Sequence, residues 1–429
     1  MARLALHWQI LIAIATAVVT GLLVDDAGLF LHRVPVVGAL DFLGTFFLNA
    51  LKMLIVPLIA SSIISAMSRL GSGQDFRRLG LKTLGYYFTT SLLAILMGLF
   101  WVNILAPGHV SADNPLRQLS GELDPALLAS LKQRDASDLV SVFLDLVPPN
   151  IIQAAANGQM LGLIVFSLLF GYFITRLTTT LRASQQRFWS GVNEVMLGMT
   201  GLVLRLAPVG VFALVAKTVA LTGFAALQPL LLFFGTVTLA LGLHLCVSLA
   251  LLLRLAGRVN PWVAFKAMSP ALLMAFSTAS SSATLPVTLD VVQRRAGVSD
   301  RVSSFVLPLG ATVNMDGTAL YECVAAMFIA QLYGIELGAV TQFTVVLIAL
   351  LSSVGVAGIP AASLVAITII LSAVGLPMEA IGVLMLTNRL LDMMRTATNV
   401  FSDACCSLVI ARTEGEETCV AVSANSESG

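Results

Sequence analysis

The sequence predicts an all-α membrane protein of eight transmembrane helices plus two re-entrant helical hairpins. Three observations carry that prediction: scarcity of charge, long apolar runs, and two such runs broken at their centres. Of 429 residues, 58% are hydrophobic and only 11% charged, with a mean hydropathy of +0.93. A water-soluble domain carries roughly a quarter charged residues. These charges are too few to build a hydrated surface, so lipid must solvate most of the chain. The formal net charge of +1 argues against nucleic acid as a partner, which needs a concentrated basic face.

Crossing a bilayer as helix takes about 20 apolar residues. Runs of that length are Leu6–Val24, Val37–Met67, Leu81–Leu105, Val140–Ile174, Val192–Leu221, Pro229–Leu253, Val302–Leu332 and Ala380–Ala411. The first carries Ala-x-Ala only inside its apolar core (Ala13–Ala17), with no cleavage site after it, and is followed by further apolar runs, so it reads as a retained helix. Ala264–Val291 and Thr341–Ala373 differ, being interrupted by small, polar and proline residues around Ser277–Pro286 and Ser352–Pro360. Lipid cannot satisfy the backbone groups that such a break exposes, so protein or a water-filled cavity must surround it. A hairpin that enters and leaves on one side meets that demand. Charge placement supports this arrangement. With both termini cytoplasmic, fifteen Lys and Arg residues fall inside and only Arg33, Arg117, Lys132 and Arg134 outside.

The five cysteines show no metal-ligand spacing and no disulfide framework, and read as small apolar packing residues. No HExxH motif or other intramembrane enzyme signature is present, so the chain is expected not to be an enzyme and to need no cofactor. Residues after Glu414 are acidic and serine-rich, and read as a disordered tail.

An internal repeat points to function. Ala283-Thr284-Leu285-Pro286 echoes Ala357-Gly358-Ile359-Pro360, and each hairpin precedes a helix carrying an Asn and an Asp. One hairpin opens from inside and the other from outside, so the units are inverted. Inverted repeats with broken helices are the plan of secondary transporters, with the site at the repeat interface.

Ionisable groups inside membrane helices are costly and default to function. In the last helix Asn388, Asp392, Arg395, Asn399 and Asp403 share one stripe, with Thr396 beside it. A structural ion pair would need only two of these groups. A guanidinium fork matches a carboxylate, and Asp392 one turn away can take an ammonium; together they suit an acidic amino acid. In the preceding helix Asn314 and Asp316 lie two apart, between glycines that suggest local unwinding. Freed carbonyls with an amide and a carboxylate form an oxygen-only shell suited to sodium. Glu322, further along, is a second buried acid and a candidate proton carrier. The histidines form no cluster, and Lys52, Arg205 and Lys217 read as snorkelling residues.

The chain resembles the dicarboxylate/amino acid:cation symporter family, which includes archaeal aspartate transporters and animal excitatory amino-acid transporters. The resemblance rests on Ser280-Ser281-Ser282, Asn314-Met315-Asp316-Gly317-Thr318, and Asp392-Met393-Met394-Arg395-Thr396 followed by Asn399 and Asp403. Leu51-Lys52-Met53-Leu54 with Pro57, and Ala207-Pro208-Val209-Gly210-Val211-Phe212, extend it over nearly the whole chain. It implies a homotrimeric, elevator-type symporter with sodium ions as co-substrates, and the short loops without a long extracellular insertion point to a bacterial inner membrane. Segments 1–80 and 139–225 would be scaffold; 81–138, 226–258 and 259–413 would form the moving transport domain; 414–429 is the tail. Substrate contacts would come from Ser280, Ser281, Ser282, Met315, Thr318, Ile359, Asp392, Arg395, Thr396 and Asn399. One sodium site would use Gly310, Asn314, Asn399 and Asp403; a second, carbonyls of Thr312, Ser353, Val354 and Val356. A third would use Tyr87, Thr90, Ser91, Asn314 and Asp316. Glutamate or aspartate is thus the expected substrate, ahead of a proton-driven C4-dicarboxylate carrier or an anion channel. The chain departs from its relatives at Ala279 and Met393, where each of two branches carries an arginine; Arg389 is a candidate substitute. Asn388 and Ser363 stand where relatives have Asp and Gly.

Overall fold

The computed structural model describes residues 6–26, 36–68, 74–110, 144, 146–156, 160–222, 227–353, 362–376 and 381–420. Regular structure among them is helical. The first elements are α1 (Leu6–Asp26), α2 (Val36–Ser68), α3 (Gln74–Leu105), α4 (Ile151–Ala156), α5 (Met160–Ile174), α6 (Thr179–Arg205) and α7 (Ala207–Thr222). Helix α1 packs on α7, while α2 packs on α5, α6 and α7. Close approach decides one of these contacts: a Cβ on Gly210 would lie 2.3 Å from Phe47 Cγ. Only glycine lets α7 sit that near α2.

The second group begins with α8 (Leu227–Leu243), which runs through a π-helical turn (His244–Leu249) into α9 (Ala250–Leu255). There follow α10 (Pro261–Thr278), α11 (Ser281–Arg294), α12 (Asp300–Val313), α13 (Asp316–Leu332), α14 (Ala339–Ser353), α15 (Ala362–Val374) and α16 (Ile381–Thr413). Consecutive α10 and α11 pack on each other, as do α14 and α15. Helix α16 runs through this group, touching α8, α10, α11, α12 and α13, and α3 lies along α13. Helix α13 is buried at every position, its polar Asp316, Thr318, Glu322 and Gln331 included.

Local sequence explains the boundaries. Helix α10 starts where Asn260 Oδ1 accepts from the Trp262 and Val263 N–H groups at 3.0 and 3.4 Å, with Pro261 in the first position. It ends at Ala279, which adopts a left-handed conformation at φ 49°. Ser280 then caps α11, its hydroxyl accepting from Ala283 N–H at 3.2 Å. Asn314 and Met315 are non-helical and part α12 from α13, so the expected run Val302–Leu332 is two helices with the unwinding where the glycines indicated it.

Three expectations need revision. Helix α6 begins at Thr179, well before the expected Val192, because the intervening Leu, Arg, Ala and Gln residues favour helix despite their polarity. It bends by 52° into α7, where Pro208 lacks an N–H and restricts the residue before it. The tail from Glu414 is ordered through Val420 rather than disordered. Glu414 pairs with Arg78 and, at 2.6 Å, with Lys82. Glu416 accepts from the Ser299 hydroxyl at 2.5 Å and the Ser299 N–H at 3.1 Å, and Asn260 N–H donates to the Val420 carbonyl at 3.0 Å. Its acidic residues are therefore acceptors for helix ends, which composition alone does not distinguish from solvation. Residues 421–429 lie outside the described residues.

Among the described residues, Arg78–Leu105 and Gln228–Leu255 are long and apolar enough, by length and composition, to cross a membrane, and the bent pair α6–α7 adds a third when taken as one span.

Candidate functional site

The break between α12 and α13 brings polar groups from four elements into one buried cluster. Asn314 Nδ2 donates to Asp403 Oδ1 at 2.9 Å and to Ser402 Oγ at 3.0 Å. The Ser402 hydroxyl donates to Asp316 Oδ2 at 2.5 Å, and Ser91 donates to the other Asp316 oxygen at 2.7 Å. Thr90 lies 3.4 Å from Asn314 Oδ1, and the Tyr87 hydroxyl donates to the Val306 carbonyl at 2.8 Å. Gly310 lies over this cluster: a Cβ there would stand 2.3 Å from Asp403 Oδ1 and 2.7 Å from the Tyr87 hydroxyl. Among the described residues no three His, Cys, Asp or Glu side chains group as for a bound metal ion. Two carboxylates with amide, hydroxyl and carbonyl oxygens form a hard donor set that suits an alkali cation.

His244 was missed from sequence. Its Nε2 lies 3.3 Å from Asp316 Oδ2, and both side chains are fully buried. It opens the π-helical turn, whose extra residue changes which side chain faces α13. Hydrophobic periodicity gives no warning of such a turn. Ser402 was also overlooked, because a serine in a membrane helix ordinarily bonds to its own preceding turn.

A second cluster surrounds Arg395, which is 1% exposed. Its guanidinium lies over the Tyr321 ring, 3.8 Å from the centroid. Nε donates to the Leu391 carbonyl at 3.2 Å, NH1 to Ser363 Oγ at 2.6 Å, and NH2 to Asn388 Oδ1 at 3.2 Å and Asp392 Oδ1 at 3.0 Å. The Tyr321 hydroxyl donates to the same Asn388 oxygen at 3.1 Å. Arg389 NH1 stands 3.7 Å from the other Asp392 oxygen, so Asp392 lies between two arginines.

Asn399 joins the clusters. Its Oδ1 accepts from Gly317 N–H at 2.8 Å and its Nδ2 donates to Thr318 Oγ1 at 3.1 Å. Gly317 fits so closely under α16 that a Cβ would stand 2.8 Å from the Arg395 carbonyl oxygen. Glu322, one turn along α13, is buried; its Oε2 accepts from Ser352 at 2.9 Å, and its Oε1 has no hydrogen-bond partner among the described residues.

The remaining expected residues are less engaged with these clusters. Ser280 and Ser281 are buried at the α10–α11 turn and Ser282 is exposed, while Met315 is buried at the helix break. Thr396 bonds back to the Asp392 carbonyl at 2.8 Å, Thr312 to the Leu309 carbonyl at 3.0 Å, and Ser353 to the Leu350 carbonyl at 2.8 Å. Val354, Val356 and Ile359 lie outside the described residues.

Known proteins resemble this chain over most of its length. Residues 6–413 match the sodium:dicarboxylate symporter family. The chain is 35% identical over 421 residues to the proton/glutamate-aspartate symporter of Escherichia coli (strain K12), covering 96% of this chain and 93% of that protein. It is 31% identical over 416 residues to the proton/sodium-glutamate symport protein of Bacillus caldotenax, covering 97% and 96% of the two chains. It is 33% identical over 423 residues to excitatory amino acid transporter 1 of Ambystoma tigrinum, covering 85% and 75%. The chain belongs to the sodium:dicarboxylate symporter family.

Proposed function

We propose that this protein is a secondary active symporter that takes up acidic amino acids, L-glutamate and L-aspartate, together with sodium ions or protons. The observation that carries the reading is the buried pairing of Arg395 with Asp392 on α16, about two helical turns from the carboxylate–amide cluster at the α12–α13 break. Arg395 takes the side-chain carboxylate of the substrate and Asp392 its ammonium. Thr318, Thr396 and Asn399 complete the contacts, with Met315 beside them and Ser280, Ser281, Ser282 and Ile359 at the hairpin tips. Sodium is taken by Gly310, Asn314, Asn399 and Asp403, by Tyr87, Thr90, Ser91, Asn314 and Asp316, and by carbonyls of Thr312, Ser353, Val354 and Val356. Glu322 carries the proton.

The segregation of the helices supports a division of labour. Helices α1, α2 and α5 to α7 pack chiefly on one another, and α3 and α8 to α16 chiefly among themselves. In this reading eight spans and two re-entrant hairpins form inverted repeats. Segments 1–80 and 139–225 are a scaffold that holds a homotrimer in the inner membrane, with both termini cytoplasmic. Segments 81–138, 226–258 and 259–413 move across it as an elevator. Sodium bound beside the second hairpin favours closure over substrate, and by reciprocity substrate tightens sodium.

Uptake of labelled L-glutamate and L-aspartate into proteoliposomes tests the reading. Accumulation is expected under an inward sodium gradient, an inward proton gradient, or both; failure under each rejects it. Arg395→Ala is expected to raise KM for both substrates by about 100-fold or more, the loss of one partner of a desolvated charge pair, while the protein elutes as a folded species. An unchanged KM removes Arg395 from its role.

A further inference from the structure

The hydrogen bonds around Arg395 place a competitor where its ligand must bind. A guanidinium has five N–H groups. Among the described residues four of them are engaged, by the Leu391 carbonyl, Ser363, Asn388 and Asp392, which leaves one, on NH1. A carboxylate paired side-on needs two N–H groups along one edge. Binding such a group therefore requires at least one of the four acceptors to withdraw.

Three of those acceptors are fixed on α16 itself, at four, seven and three residues before Arg395. Asn388 is further held by the Tyr321 hydroxyl at 3.1 Å, and Asp392 carries the opposite charge. Ser363 differs. It lies in the first turn of α15 on a separate element, it carries no charge to hold it to Arg395 as Asp392 does, and its contact with NH1 is the shortest of the four at 2.6 Å. Its side chain is buried, so water does not stand in when the hydroxyl withdraws.

We infer that Ser363 sets the affinity for the acidic substrate, its hydroxyl holding the edge of Arg395 that the substrate carboxylate takes and weakening binding by competition. This inference rests on Arg395 anchoring the carboxylate, as proposed above.

The test compares Ser363→Ala, Ser363→Gly and Ser363→Thr in proteoliposomes, with L-glutamate and L-aspartate uptake measured at saturating sodium. Removing a hydrogen bond to a charged group changes an equilibrium by roughly 10-fold. Ser363→Ala and Ser363→Gly are expected to lower KM for both substrates by about that factor, with the sodium concentration for half-maximal rate unchanged. Ser363→Thr keeps the hydroxyl and is expected to stay close to the parent KM. A merely structural role would move Vmax and sodium dependence together, and threonine would not restore the parent value. A KM that is unchanged or raised in both the alanine and glycine variants overturns the inference. So does a threonine variant that behaves like alanine. Should one variant fail to fold, the other two decide between these outcomes. If Ser363→Ala leaves KM unchanged while Arg395→Ala abolishes uptake, this inference alone fails; if Arg395→Ala is also silent, the proposed function fails with it.

Discussion

Asp316 receives three donors at two oxygens, and that arithmetic sets what it can do for a cation. Ser91 takes Oδ1, and Ser402 and His244 converge on Oδ2. A buried carboxylate held from both sides keeps one orientation, which is what a site needs if it is to replace the hydration shell of an ion at fixed distance. Ser402 contributes from α16 and Ser91 from α3, so the carboxylate also ties three helices together. His244 is the contributor from the π-helical turn. Replacing it with alanine removes one hydrogen bond, worth about 1 kcal/mol net and hence roughly a 3- to 10-fold change in a coupled equilibrium. His244→Ala is therefore expected to raise the half-saturating sodium concentration by about that factor. The KM for glutamate at saturating sodium is expected to remain near the parent value. Uptake measured against a sodium titration checks this, and a superimposable titration would assign His244 to packing alone.

At the scale of elements, broken helices concentrate function and ordered ends restrain it. The C-terminal strap shows the second. Glu414 is held below the usual carboxylate range, first by its hydrogen bond from Lys82 and then by that from Arg78. A depressed carboxyl contributes stability that is fully present above its unfolded value, about 4.3, and is lost as pH falls through the lower folded value. Glu414→Gln is expected to lower the thermal unfolding midpoint by about 1–2 °C near neutral pH, as for a partly exposed ion pair. The gap between parent and variant should close as pH drops below the carboxylate range; a gap that persists in acid would show that the strap holds by other contacts. This strap was illegible in the sequence because acidic, serine-rich residues have the same composition whether they cap helices or solvate a tail. The break at Asn314–Met315 was legible, since Gly310 and Gly317 flank two polar residues that no single helix face can present. The stripe from Asn388 to Asp403 was legible for the same reason in reverse, its spacings matching one face of α16. His244 was not, because a π-turn shifts register without leaving a residue signature.

At the scale of the whole molecule the question is how ion and substrate come to move together. Linkage requires that each ligand favour one arrangement of a shared element, and α13 is placed to be that element. Its first turn carries Asp316 in the cation cluster, Thr318 bonds Asn399 on α16, Tyr321 stacks beneath Arg395, and Glu322 meets Ser352 at the end of α14. The proposed cation cluster, the proposed amino-acid anchor and the buried acid thus share two turns of one helix. Glu322 is the member whose charge a proton can remove, and its Oε1 has no hydrogen-bond partner among the described residues, so an ionised carboxylate inside the membrane is costly there. In the proton-coupled reading, only the protonated carrier moves with its substrate, so uptake by the parent protein declines as pH rises. Glutamine is neutral at every pH and its amide oxygen can still accept from Ser352, so Glu322→Gln keeps the contact while removing the titration. The variant is expected to take up glutamate at a rate independent of pH and to lose accumulation driven by a proton gradient alone. Any sodium-driven uptake should persist in it, because Asp316 and Asp403 are untouched. A variant that retains the parent pH profile would move the proton to another group and leave Glu322 as a packing residue between α13 and α14.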